Sequence, residues 1–465
     1  MVFLNFLFSI NLSRNEKIFL GLCCVALLFL MVLKNKELLK KRKDKKLKDL
    51  AWGKRGKVHG IIFGRKGQKV LYSPTQKEPH CFICAGTGKG KTSSLLIPTL
   101  RSWTGSSLTI DISGDISKNC PDMPQKLVFE PENPDTIPYD VFSVIDKMKD
   151  DDQKNEALCQ LAILLMPEAP NMNDAALFFL KNGRKILSAS LIAFYHSGLD
   201  FCEICRKIVG SSWQNLFNEI DETGNEEARL YINGFAGANE ANTSGCYQAV
   251  CDAITLFATN KNVRNSVRRP SKEEKSLEPS CIEINNIFVI VQDEKLELYS
   301  PLMNVIVSQF MQYISSRVTE KGKSKTILLA LDEYASLHID SGMILEATRK
   351  YRKRLCRLMI LTQNLADLVV LYGQEVTRSL IGNFDYKVLL GGVGDLESLE
   401  TFAKIIGYQE TTKRSVSHSQ NGTSRTESED KEWAIEPADL DRLGDNMILI
   451  SPEGYFKLQK NFYFK

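Results

Sequence analysis

A chain of 465 residues with 43% apolar and 25% charged side chains carries enough hydrophobic residues for two to four buried cores, which excludes a disordered or fibrous protein. Its formal charge is +4, and residues 34–50 alone hold nine Lys/Arg against three acids, a local +6. The remainder is slightly acidic (+4 minus +6), which excludes a surface-wide basic field for nucleic acid; any polynucleotide site has to be local.

Residues 18–33 (IFLGLCCVALLFLMVL) are sixteen consecutive uncharged, mostly apolar positions. At 1.5 Å rise per residue they extend about 24 Å, a little short of a full bilayer span, and Lys17 and Lys34 can snorkel to close the gap. The pattern predicts a membrane-spanning helix. A second apolar run at 2–12 is too short to span alone, so one pass and two passes are both open. A cleaved signal peptide is disfavoured, because no basic segment precedes the apolar run and no small-x-small site follows it. The lysine cluster after the helix places residue 34 onward in the cytoplasm by the positive-inside tendency; it also suits anionic headgroups or DNA, with a topology signal lying on lipid the favoured reading. The expected localisation is therefore the cell membrane, with the body in the cytoplasm.

Beyond residue 50, alternating apolar residues and glycine turns at 59–74 predict a hairpin. HCFIC (80–84) reads as a buried strand, GKTSSLLIPTLRSW as a helix carrying Pro98, and SSLTIDI (106–112) and KLVFEPENP (126–134) as further strands. Strand, helix, strand in this order predicts an α/β fold with a mainly parallel sheet. Residues 151–280 change to helical spacing of apolar positions, as in NDAALFFLKNGRKILSASLIAFYH, and predict an inserted all-α domain. The sheet resumes with strands at 286–292, 326–331 and 357–363 and helices over 301–318 and 341–353. The polar stretch 411–431 predicts a mobile loop, and 446–464 a closing hairpin. The expected organisation is an anchor with basic segment (1–50), a first part of a nucleotide-binding domain (51–150), the all-α insertion (151–280) and the second part (281–465). Two CxxC pairs (81–84 and 202–205) read as buried thiols in a reduced body, because a zinc site would need a second pair beside them.

The chemistry concentrates in CAGTGKGKTSS (84–94). A phosphate loop needs a hydroxyl directly after its lysine to ligate Mg²⁺. Lys89 is followed by Gly90 and fails; Lys91 is followed by Thr92 and fits. The loop then comprises Ala85, Gly86, Thr87, Gly88, Lys89, Gly90, Lys91 and Thr92, whose glycines let successive N–H groups face the phosphates of ATP at the start of a helix. TILLALDEYASL (326–337) supplies the second half: Asp332 to hold Mg²⁺ and Glu333 to orient and polarise the attacking water. Gln363, at the end of the next strand, is placed to touch that water or the γ-phosphate. The basic run RKYRKRLCR (349–357) is ordinarily a solvated face, but in an oligomer one of its arginines can reach a neighbour's γ-phosphate.

Taken together, AGTGKGKTSSLLIPTLRSWTGSSLTIDISGD, LLALDEYASL and RSLIGNFDYKVLLGG resemble the TraG-like coupling proteins of type IV secretion, membrane-anchored ATPases of conjugative DNA transfer. The likeness runs from about residue 51 to the C-terminal side, and the anchor has the family's layout. It implies a RecA-like P-loop NTPase core, a homo-hexameric ring around single-stranded DNA, docking of a relaxase–DNA complex through the all-α domain, and secretion-channel components as partners. Lys91 and Thr92, Asp332 and Glu333, and Gln363 match the family's site positions, and Arg352 lies where some members have a trans-acting arginine. One departure is DISGD (111–115), where the family has Asp-Pro-Lys-Gly-Glu: Ser113 removes the lysine. Two rivals remain from the sequence: a double-stranded DNA translocase of FtsK type, disfavoured because no DNA-reading module follows residue 432, and a non-hydrolysing membrane receptor for secreted nucleoprotein.

Overall fold

The computed structural model describes residues 49–77, 79–169, 172–320, 322–419 and 422–464, the side chains of 412–430 excepted. The anchor expected at 18–33 and most of the basic segment lie outside the described residues. Among the described residues, no helix is long and apolar enough to cross a membrane.

Aliphatic runs with no polar face, such as ILLAL and CRLMILT, suit strands covered on both sides by helices. They form β8 (Ile327–Leu331) and β9 (Cys356–Thr362), every residue of which is buried. Around them lie β10 (Tyr386–Leu389), β4 (Cys81–Cys84), β5 (Ser106–Asp111), β7 (Asn286–Ile290) and β6 (Lys126–Phe129). Their spatial order is β10-β4-β9-β8-β5-β7-β6, and every neighbouring pair is parallel. The sheet continues past β10 as an antiparallel flank: β13 (Asn446–Ser451), β14 (Gly454–Gln459), β2 (Gly60–Lys66), β3 (Lys69–Pro74) and β1 (Ala51–Lys54). The chain leaves β4 to the right-hand neighbours first and returns to its other side only at β10. That reversal makes the carboxyl end of β4 the crevice where α/β sheets bind ligands.

Between β6 and β7 no strand is formed among the described residues, and helices run from Asp151–Leu165 to Lys261–Ser266. Their starts are written in the sequence: Asn173, Ser212, Asn225, Asn239 and Asn260 each accept a backbone N–H, and Asp200 with Glu203 closes a capping box. The apolar faces of these helices run into the same continuous core as the sheet. The helix Leu296–Ser316 ties the two, since Asn304 donates to the Leu164 carbonyl at 3.1 Å while Gln309 donates to the Val141 carbonyl at 2.8 Å. Residues 49–465 form a single compact unit.

Three local expectations change. The stretch 411–431 is no loop: β11 (Tyr408–Ser419) and β12 (Gly422–Trp433) pair antiparallel over their whole length, with Tyr408 stacked on Trp433 at the base. The alternation was hidden because the side chains are polar at nearly every position, so no face carries a hydrophobic signal. The strand expected at 126–134 ends at Phe129, where Glu130 begins a turn. The closing hairpin ends at Gln459, and residues 461–464 run elsewhere.

Candidate nucleotide-binding site

At the end of β4 the chain keeps its ladder for two more residues: the Ala85 N–H bonds the Thr362 carbonyl and the Gly86 N–H the Gly391 carbonyl, at 3.1 and 3.2 Å. A side chain at Gly86 is impossible, since its Cβ would stand 1.7 Å from the Gly392 carbonyl oxygen. The glycine pair after β10 is therefore what seats the loop against the sheet. Gly90 turns the chain at φ +88°, into the helix that starts at Thr92.

That helix opens with a wide turn, Thr92–Leu96, in which the Ile97 N–H reaches back five residues to the Thr92 carbonyl. The next group in this register is Pro98, which has no N–H to give. The Ser93 carbonyl is thereby freed, and the Tyr463 N–H takes it at 3.1 Å. Residues 461–464 lie on the phosphate loop, with the Phe462 ring 2.9 Å from where a Gly90 Cβ would sit.

The parallel order brings the other site residues in from far along the chain. β8, two strands from β4, runs out into Asp332 and Glu333, and β9 between them runs out into Gln363. The Thr92 hydroxyl donates to Asp332 Oδ2 at 3.1 Å, and Lys91 pairs with Glu333 Oε1. Gln363 donates through Nε2 to Glu333 Oε2 at 3.3 Å, and accepts from the Thr87 hydroxyl at 3.1 Å. Loop, acid pair and glutamine are thus one network. Glu333 holds φ 45°, ψ 48°, a left-handed conformation that costs a non-glycine residue energy and clusters at functional sites. Burial, above all, lifts the Asp332 carboxyl from 3.8 to about 6; Glu333 adds to this, and the Lys91 ammonium opposes it.

A cleft of about 470 Å³ opens over the loop, lined among others by Lys91, Thr92, Glu333, Ser113, Asp115 and Tyr463. Ser113 is on it, with a hydroxyl where the resemblance implies a lysine. Asp111 is spent on structure, accepting the Ser117 and Ile116 N–H groups at 2.7 and 3.3 Å. Lys89 is exposed, its stem lying over Gly392. Cys84 is buried, its thiol pushed up by burial and donating to the Gln363 carbonyl at 3.6 Å. Arg352 is not brought into this cluster: it precedes β9, at the opposite end of the sheet, and pairs with Asp385. What the sequence reading missed here is Gly391–Gly392 and Tyr463. Their only signals were a doubled glycine after an apolar run and the aromatic cluster NFYF.

A glycine cradle with a lysine, and a hydroxyl facing a buried carboxylate, fits a triphosphate with a hard divalent cation. The family model for type IV secretory system conjugative DNA transfer matches residues 30–465. The VirD4 protein of Agrobacterium fabrum is 22% identical over 387 residues, covering 78% of this chain and 55% of that protein. The type IV secretion system-coupling protein VirD4 of Bartonella quintana is 22% identical over 373 residues, covering 77% and 56%. The chain thus spans about half the length of these relatives. Among solved structures, the unbound bacterial conjugative coupling protein TrwBdeltaN70 superposes with a TM-score of 0.68 at 19% identity, over 91% of this chain and 90% of that one. Plasmid coupling protein TrwB in complex with ADP and Mg²⁺ gives 0.65 at 19%, over 84% and 87%. The fold is the mainly parallel α/β fold of these RecA-like proteins. By the match over nearly its whole length, this chain belongs to the type IV secretory system conjugative DNA transfer family.

Proposed function

We propose that this chain is a membrane-anchored ATPase that couples a relaxase–single-stranded DNA substrate to a type IV secretion channel during conjugative transfer. The observation that carries the proposal is the network of Lys91, Thr92, Asp332, Glu333 and Gln363, drawn together past the ends of three strands, with Lys91, Thr92 and Glu333 lining the cleft. Lys91 and the loop N–H groups hold the triphosphate, and Thr92 and Asp332 hold Mg²⁺, which neutralises charge on the phosphates. Lys91 is bonded to Glu333, so a terminal phosphate drawn to its ammonium competes with that carboxylate. Glu333 is then released to orient and polarise a water. Gln363, bonded to Glu333 and to Thr87, shifts with the exchange and reports it along β9.

Arg352 faces away from its own chain's cleft, so its proposed role is in trans, at a neighbour's site in a homo-hexamer. The ring is proposed to pass single-stranded DNA, with the relaxase on the all-α region, the anchor in the cell membrane beside channel components, and the body in the cytoplasm. Phosphate release by purified protein, with and without single-stranded DNA, tests the whole. Turnover stimulated by single strands is expected. Unstimulated or absent turnover points to a receptor, and stimulation by duplex alone to a double-stranded DNA translocase.

A further inference from the structure

Residues 461–464 leave the sheet after β14 and settle on the phosphate loop, and the proposed hydrolysis does not explain why. The docking is specific. Pro98 frees the Ser93 carbonyl for the Tyr463 N–H at 3.1 Å, and Arg55 donates to the Phe462 carbonyl at 2.5 Å. The Tyr463 ring is half-buried, lines the cleft that Lys91, Thr92 and Glu333 also line, and carries the Arg101 guanidinium 4.8 Å from its centroid. Arg101 is itself fixed, donating through Nε to the Asn119 carbonyl at 2.7 Å. An aromatic ring held from its backbone and backed by a guanidinium is a stacking platform.

Its position in the cleft sets what it stacks. Glu333 and Gln363 mark the end where a terminal phosphate is attacked, on the Lys91 side of the loop. The inner phosphates follow the N–H groups toward the start of the helix, at Thr92 and Ser93. Tyr463 is bonded at Ser93, one residue past Thr92 on the helix, where a nucleoside that continues from the inner phosphates would lie. We infer that Tyr463 is the base-stacking residue of the nucleotide site, held by Ser93 and Arg101, and that it selects nucleotides over base-free polyphosphates. This rests on the nucleotide-site reading above.

Equilibrium binding of two probes to the full chain, ATP and inorganic tripolyphosphate, tests it with wild type, Tyr463→Ala and Tyr463→Phe. Tyr463→Ala is expected to weaken ATP about tenfold while tripolyphosphate binding stays within about twofold, and Tyr463→Phe to restore ATP binding. Equal weakening of both probes in Tyr463→Ala would mean that the segment only props the loop, and no weakening of either would remove Tyr463 from the site; both overturn the inference. If wild type binds neither probe, the nucleotide-site reading has failed and the inference falls with it. Circular dichroism of both variants confirms the fold against which the affinities are compared.

Discussion

Where the chain leaves the parallel strands, Lys91, Asp332, Glu333 and Gln363 meet; where it enters them, His80, Arg352, Arg357 and Asp385 do. Both groups are rich in ionisable side chains, but their partners differ. At the entering end Arg357, 1% exposed, donates to the Pro74 and Thr75 carbonyls at 2.8 Å each. His80 accepts the Leu358 N–H at 3.0 Å, and burial first, then Arg352 and Arg357, holds its pKa down near 3, so it stays neutral. His80 and Arg357 are fixed by main-chain atoms, and only the partly exposed Arg352–Asp385 pair is held side chain to side chain. At the leaving end the side chains hold one another: lysine to glutamate, threonine to aspartate, glutamine to glutamate and threonine. Partners of that kind can be exchanged for a ligand, whereas a backbone carbonyl cannot be released without unfolding its strand or loop. A charged cluster is read as functional by what its members are bonded to, rather than by how many there are.

Substitutions at the two ends should therefore separate activity from stability. The largest effect is expected from Lys91→Ala, which removes the ammonium proposed to meet the phosphates. Phosphate release should fall on the order of 100-fold or more, with the fold intact by circular dichroism. Arg357→Ala acts at the other end and should cost about 3 kcal/mol of stability, because two buried carbonyls lose a charged donor. Denaturant titration measures that loss, while turnover per folded molecule well below the midpoint should be unchanged.

Asp332 sharpens the contrast through pH. Its carboxyl titrates near 6 rather than 3.8, so ionising it opposes folding: the cost is absent below about pH 4 and complete above about pH 6. At about 1.4 kcal/mol per pH unit, the ceiling is about 3 kcal/mol. Asp332→Asn should accordingly be more stable than wild type at pH 7.5, with the gain vanishing as pH approaches 4, and yet lose Mg²⁺-dependent turnover. Wild-type Mg²⁺–nucleotide affinity should weaken as pH falls through 6, where a proton competes for the same oxygens. The smallest effect on folding belongs to Arg352→Ala. Its ion pair with Asp385 is partly exposed and worth less than about 1 kcal/mol, so a marked fall in turnover from this change would come from an action in trans.

Much of this was legible in the sequence, for physical reasons. ILLAL and CRLMILT have no polar face and so announce buried parallel strands, and the acids and the glutamine that end them fall at the sheet's ligand-binding edge by topology. Lys91 was separable from Lys89 because only one of them precedes a hydroxyl. The strand β10 was legible only as part of a resembling motif, since four residues are too few for a pattern. The long hairpin β11–β12 escaped because neither of its faces is apolar. Docking of residues 461–464 uses partners at Ser93 and Arg55, hundreds of residues away, which no local pattern expresses.

The most direct measurement is a paired one on Glu333→Gln: ATP retention and phosphate release by the same preparation. Replacing the carboxylate by an amide keeps the shape, removes the group proposed to polarise water and weakens the hold on Lys91. ATP should therefore bind at least as well as in wild type while hydrolysis stops. If Glu333→Gln instead hydrolyses ATP at the wild-type rate, the network at the end of β8 is not the machinery of turnover, and the assignment of this cleft is wrong.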